Sequence, residues 1–225
     1  MTEMQTSPPP VKRRGPPPKL TREAIADAAL DLIDRDGIRA LTMRRLALEL
    51  GAGAMTLYGY FSDKDELLDF ALDRAARRFD FAIGEGPWRA QLRELVQTMM
   101  RALTEHPGAV EIRARRPILN PGSLRAGEAG IGILLEAGFE ITEAAAAWRL
   151  LFTFTFGYAA FSAAEPSPAQ QAEWQRQLAA LPAEQFPVMA GEATQLVSWM
   201  AGRRPFDHGL ELILDGLETR LALLR

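Results

Sequence analysis

Four side chains between residues 44 and 64 have the chemistry of a polyanion reader. The Arg44 guanidinium can donate two parallel hydrogen bonds to a guanine edge, and Thr56 can offer a hydroxyl hydrogen bond or a methyl contact to thymine. Tyr58 can meet a phosphate or a methyl group. Lys64 brings a point charge beside the first turn of an expected helix, where backbone amides add to phosphate attraction. Ala54 and Met55, just ahead of Thr56, offer apolar contacts alone. More of the base discrimination therefore rests on Arg44 and on the basic N-terminal arm.

The neighbouring residues say how such groups are presented. Residues 41–68, LTMRRLALELGAGAMTLYGYFSDKDELL, predict two short helices joined by a glycine turn and followed by a capped third, the layout of a helix-turn-helix. Thr42 is placed to cap a helix over Met43–Leu50, Gly51 supplies permissive backbone at the turn, and a second short helix runs from Gly53 or Ala54 to Tyr60. Ala47 allows close helix approach and Leu57 is the apolar anchor. Leu57 and Arg45 read as packing and surface residues rather than readers. Ser62-Asp-Lys-Asp65 matches a capping box, opening a fourth helix to about Phe81 with Leu67, Leu68 and Phe70 on its buried side. Upstream, Ile25, Ala28, Ala29, Leu32 and Ile33 form one apolar stripe, capped by Thr21 and closed at Asp36-Gly37.

Composition narrows the classes. The 225-residue chain has no cysteine, which excludes disulfides and thiolate metal sites and fits a reducing cytoplasm. Its two histidines, His106 and His208, are not at ligand spacing, so neither a metal nor a cofactor is expected. The net charge of −3 divides unevenly: residues 1–64 hold ten Lys and Arg against eight Asp and Glu, while the remainder is acidic. Lys12, Arg13, Arg14, Lys19 and Arg22 face only Glu3, and residues 1–19 contain two proline triplets. They are expected to form a disordered basic arm able to neutralise phosphates. No secretory leader is evident. Ala144–Ala164 approaches the length of a membrane span, but Arg149 within it argues for a helix buried in a protein assembly, and no membrane partner is expected. An enzyme finds little support. There is no nucleophile elbow, and Gly127-Glu-Ala-Gly-Ile-Gly132 lies in a helical context without a preceding strand.

After the Gly84–Pro87 break every strong pattern is helical, so the fold class is all-α: a three-helix head and a C-terminal bundle. Helices are expected from Pro87 to His106, then to about Arg116, from about Ser123 to Gly138, over the long apolar segment opened by Thr142-Glu143, in two pieces over 169–201 broken by Pro182 and Pro187, and from Pro205 to the end. The long apolar helix and the last one carry more apolar surface than a small bundle uses. A homodimer through a four-helix interface is the expectation.

With these patterns in place, the sequence resembles the tetracycline-repressor (TetR) family of transcriptional regulators. Residues 20–71 run like the family's DNA-binding head, with TLYGYF as the most specific sign. Glu136-Ala-Gly-Phe139 and PFDHGLELILDGLETRL resemble its tetracycline-repressor type of C-terminal domain. The resemblance implies a homodimeric repressor whose two recognition helices enter successive major grooves of a pseudo-palindromic double-stranded DNA operator, and which a small-molecule effector releases. By position it makes Arg44, Ala54, Met55, Thr56 and Tyr58 the groove-facing set, and Thr42, Tyr60 and Lys64 phosphate contacts. Ile112 falls where the tetracycline repressor has a magnesium-coordinating histidine, so a magnesium-bound drug does not fit. Met99, Leu103, Ile112, Leu134, Trp148, Phe152 and Phe156 are candidate pocket walls, with Thr155 and Arg115 as polar contacts, and they favour an apolar or aromatic effector. The expected division is an arm over 1–19, a DNA-binding domain over 20–66 and an effector-binding and dimerisation domain over 67–225. The rival readings are a nonspecific architectural DNA binder and, behind it, a small-molecule enzyme.

Overall fold

The computed structural model describes residues 20–79, 81, 84–115, 121–161, 166–200 and 204–224, and the basic arm expected over 1–19 lies outside them. Every regular element among the described residues is a helix. The first three are α1 (Arg22–Asp36), α2 (Met43–Glu49) and α3 (Ala54–Tyr58), followed by α4 (Lys64–Arg77). Thr21 caps α1 by accepting from the Ala24 amide, and Thr42 caps α2 by accepting from the Arg45 amide, each at 3.1 Å. Gly51 turns the chain between α2 and α3 at φ +64°, where a side chain would strain the backbone. The expected capping box before α4 moves by one residue: Asp63, not Ser62, accepts from the Glu66 amide, and the Glu66 carboxylate reaches back to the Ser62 amide.

Ile25, Leu32, Ile33, Leu46, Leu57, Phe61 and Leu67 are fully or almost fully buried at the centre of this head. Burying one such side chain stabilises by roughly 1.5–3 kcal/mol. The head core does not end at residue 66. Leu68, Ala71, Leu72 and Ala75 extend it along α4, and Ala109 and Ile112 join it from the body. Helix α4 stops earlier than expected, at Arg77 with Arg78 as its cap, so Phe79 and Phe81 stand beyond its end.

The body comprises α5 (Trp88–Glu105), α6 (Pro107–Arg115), α7 (Pro121–Ala137), α8 (Ile141–Phe161), α9 (Pro168–Ala179), α10 (Pro187–Gly191), α11 (Ala193–Met200) and α12 (Arg204–Leu223). Residues 168–200 form three helical pieces rather than two, because Pro187 opens a short helix, where its missing N–H costs nothing. A second core joins α5, α7, α8 and α12. Trp148 of α8 packs on the bare backbone of Gly130 in α7. Phe154 of α8 stacks on Phe206 of α12 at 5.3 Å beside Gly209. A β-carbon at either glycine would fall within 2.7 Å of an aromatic ring. No helix among the described residues is long and apolar enough to cross a membrane.

Candidate DNA interface and effector cavity

The α3 surface divides by one residue. Leu57 is 0% exposed and fixes the helix to the head core, while Met55 is 81% and Tyr58 46% exposed and Thr56 is exposed beside them. Ala54 is half-buried against the core, so only its outer edge is available. Arg44 projects from α2 and makes no hydrogen bond or ion pair with any described residue. Arg45, next to it, is held by Asp36 and lies 3.8 Å from Glu49. The one free guanidinium of α2 thus belongs to the position read as groove-facing.

Two of the three phosphate candidates are engaged within the fold. The Tyr60 hydroxyl donates to the Leu20 carbonyl at 2.8 Å. The Lys64 ammonium donates to the Leu41 carbonyl at 2.6 Å and to that of Ile38 at 3.3 Å, tying α4 to the turn ahead of α2 while keeping its charge and a third N–H. Thr42 is exposed at the start of α2. Arg22, grouped by sequence with the arm's free cations, is instead a structural bridge. It donates to the Tyr60 carbonyl and to Glu66, each at 2.7 Å, and lies 4.3 Å from the Phe61 ring centroid and 4.9 Å from that of Phe70. Those contacts, the Ser62 amide first and Arg22 next, lower the Glu66 carboxyl to about 2. Sequence reasoning passed over Leu48, which is 80% exposed and sits one turn beyond Arg44 on α2. The i, i+4 spacing was the available signal.

The body contains a cavity of about 640 Å3, including its open mouth. Met99, Leu103, Phe152 and Phe156 line it, as the sequence suggested. Leu72, Ala75 and Ala76 of α4 form another side, with Phe79 and Phe81 beyond it and Gly122 and Ala126 of α7 closing a third. Four of the expected wall residues do not line it. Ile112 is fully buried in the head core, because one step along α6 turns the side chain by about 100° from the cavity-facing Arg113. Leu134 and Trp148 belong to the body core. Thr155 is fully buried and donates to the Leu151 carbonyl at 2.8 Å, on the core-facing stripe of α8 rather than the stripe of Phe152 and Phe156. Arg115's side chain lies outside the described residues. Among the described lining residues the cation is Arg113, with its guanidinium 5.5 Å from the Phe152 ring centroid and its pKa lowered by burial. Phe79 and Phe81 escaped the sequence reading because the fourth helix was expected to run through them.

Helix α6 is shared between the two regions. At its start the Asp34 carboxylate of α1 accepts from the Gly108 amide at 2.5 Å and meets His106 Nδ1 at 3.0 Å. A β-carbon on Gly108 would lie 2.7 Å from Asp34 and Ile33, so only glycine permits this approach. In return the Glu111 carboxylate accepts from the Ile38 amide at 2.8 Å. Glu111, Ile112 and Arg113 therefore touch, in order, the head's turn, the head's core and the cavity. Asp73 of α4 adds a further link by accepting from the Gly122 amide at 2.6 Å.

A small helical reader joined through a shared helix to a cavity-bearing bundle is the architecture of a ligand-responsive transcriptional regulator. Residues 25–70 match the family model described as bacterial regulatory proteins, tetR family, and residues 82–221 match the tetracyclin repressor-like C-terminal domain. The chain belongs to the TetR family. It is 32% identical over 231 residues to the transcriptional repressor DrrR1 of Streptomyces coeruleorubidus, covering 94% of this chain and 82% of that protein. The class D tetracycline repressor of Escherichia coli is 31% identical over 214 residues, covering 92% and 93%. Among solved structures, apo ActR of Streptomyces coelicolor matches with a TM-score of 0.80 at 30% identity, covering 94% of this chain and 100% of that one. ActR in complex with actinorhodin matches at 0.77 and 30%, covering 90% and 98%. The chain is accordingly a DNA-binding transcriptional regulator, and its relatives are named as repressors rather than enzymes.

Proposed function

We propose that the chain is a homodimeric, cytoplasmic repressor that reads a pseudo-palindromic operator through Arg44, Met55, Thr56 and Tyr58, with Ala54 at the edge of the contact. Thr42, Lys64 and the residue 1–19 arm meet phosphates, and Tyr60 holds the start of α1 in place. The observation that carries this reading is the alternation on α3, where a fully buried Leu57 leaves Met55, Thr56 and Tyr58 outside. A single short helix covers too few base pairs for useful specificity, and a second copy doubles the site. The dimer forms through α8 and α12. Ala146, Leu150, Thr153 and Phe161 make an exposed stripe on α8, and Leu212, Gly216, Thr219 and Leu223 make a matching one on α12. Gly157 and Gly216 both face open space, which lets backbones approach closely.

An effector in the cavity touches α4 and α6 together, and both are built into the head core. Occupancy that moves them changes the separation of the two readers and releases the operator. The apolar and aromatic walls suit an apolar or aromatic effector, in keeping with the actinorhodin complex of ActR. Ile112, at the position of the tetracycline repressor's magnesium-coordinating histidine, faces the head core and has no metal-ligating atom, so this position supplies no ligand to a metal-bound effector. The test is selection of bound sequences from a random duplex pool, repeated with candidate effectors. One enriched palindromic sequence is expected. Equal binding to all duplexes would replace this reading with an architectural role.

A further inference from the structure

The arginines of the head are not alike. Arg22, Arg35, Arg45, Arg74, Arg77 and Arg78 each hold a carboxylate of the head. A guanidinium that already shares an anion adds little net charge to a DNA surface, because an approaching phosphate meets the carboxylate as well. Among the head's described arginines the exceptions are Arg44 and Arg39. Arg39 is exposed and makes no hydrogen bond, ion pair or ring contact with any described residue. Its backbone is nonetheless fixed. Gly37–Ala40 is a turn closed by the Ala40 amide on the Gly37 carbonyl at 3.0 Å, with the Ile38 side chain buried and that of Arg39 outside. Glu111 holds the Ile38 amide at 2.8 Å, and the Lys64 ammonium holds the Ile38 carbonyl at 3.3 Å. The same ammonium holds the carbonyl of Leu41, next to the Thr42 that caps α2. Arg39 therefore stands on a pinned turn between the atoms that anchor Lys64 and the start of α2.

From this placement we infer that Arg39 is a further phosphate contact of the DNA interface, gripping the duplex backbone beside Thr42 and Lys64 while Arg44 enters the groove. This rests on the reading of Thr42 and Lys64 as phosphate contacts and extends that edge of the interface by one cation. The planar fork of a guanidinium can hold two oxygens of one phosphate. A phosphate carries no sequence information, so Arg39 contributes to affinity and salt dependence and not to base choice. The turn is also the part of the head that α6 holds through Glu111, so a shift of α6 moves this grip directly.

The test is fluorescence anisotropy of the full chain on two labelled duplexes, the sequence enriched from the random pool and a scrambled one, between about 50 and about 200 mM salt. Arg39→Ala is expected to weaken binding about threefold or more at ~0.1 M salt, by the same factor on both duplexes. The slope of log affinity against log salt should become shallower by about 0.9 for each chain bound. Arg39→Lys should restore the slope, because a point charge displaces the same counterion. An unchanged slope in Arg39→Ala would overturn the inference, as would a loss confined to the enriched sequence or a slope that Arg39→Lys fails to restore. The scrambled duplex separates this from the broader reading. A slope that flattens in Arg39→Ala, in a protein that binds both duplexes equally, would keep the phosphate contact and remove the operator.

Discussion

In the head, Arg44, Met55, Thr56 and Tyr58 project outward from a backbone pinned by Leu57, by the Thr21, Thr42 and Asp63 caps and by Lys64 on two carbonyls. In the body, Arg113, Phe152 and Phe156 turn inward on a cavity whose walls come from five helices and the segment after α4. The head spends its polar groups on fixing α2 and α3, as suits a surface that must match a duplex without rearranging. The body leaves space unfilled and places α4 and α6 beside it. Rigidity belongs to the reader and adjustability to the sensor, and the two meet at Glu111, Ile112 and Arg113.

The largest expected effect comes from removing the pin under α3. Leu57→Ala deletes a fully buried side chain and should destabilise the head by about 2–5 kcal/mol. Operator binding is lost, while calorimetry still detects ligand binding in the cavity. Loss of both together would mean that the regions do not hold their shapes separately. Arg44→Ala comes next. It leaves the fold intact, because Arg44 has no described partner, and should remove roughly 1–3 kcal/mol of discrimination at one base position. Competition against operators altered at single positions measures this. A uniform loss over all sequences would reassign Arg44 to phosphate.

A smaller effect is expected where the regions join. Glu111→Gln weakens the bond to the Ile38 amide by about 1 kcal/mol and leaves both the α3 face and the cavity walls in place. Operator affinity without effector and effector affinity without operator should both stay near their original values. The concentration of effector needed for release should change. Anisotropy titrations with both ligands read this directly, and an unchanged coupling would move the connection from α6 to α4 and its Asp73 link.

The two regions also differ in how far their sequences disclose them. Caps, the Gly51 turn and the Leu57 anchor act within a few residues of one another, so the head's geometry follows from local spacing. The same locality explains the shift of the capping box from Ser62 to Asp63, since both residues can cap and the backbone decides between them. The cavity depends on how helices distant in sequence are rotated against each other. Met99, Leu103, Phe152 and Phe156 were accessible as apolar residues on α5 and α8, whereas Thr155, also on α8, and Ile112, on the neighbouring α6, face elsewhere. Nothing in a periodic apolar pattern says which of two adjoining stripes meets a void. Arg22 fails for another reason. Its charge reads as part of the arm, but Glu66 and the Phe61 and Phe70 rings, far along the chain, capture it.

The smallest effect tests whether the regions unfold separately. Glu66 in the head and Glu211 in the body both titrate at about 2, well below the ordinary 4.5. Glu66 is lowered first by the Ser62 amide and then by Arg22, and Glu211 by Arg93 and then Arg89. Because the folded-state values are depressed, each contribution is complete above the ordinary value and drains away as the pH falls from about 4.5 toward 2. Both groups are partly exposed, which keeps the contributions small. All four tryptophans, at 88, 148, 174 and 199, lie in the body, so their fluorescence follows that region alone. Melts between about pH 6 and about pH 3.5 should show a shallower acid loss in Glu211→Gln by tryptophan emission. Glu66→Gln should leave that signal unchanged and reduce the acid sensitivity of amide exchange in α2 and α3. If Glu66→Gln alters the tryptophan transition as much as Glu211→Gln does, head and body melt as one unit. The α6 contacts would then be a rigid weld, and effector signals would have to travel by moving the whole subunit against its partner.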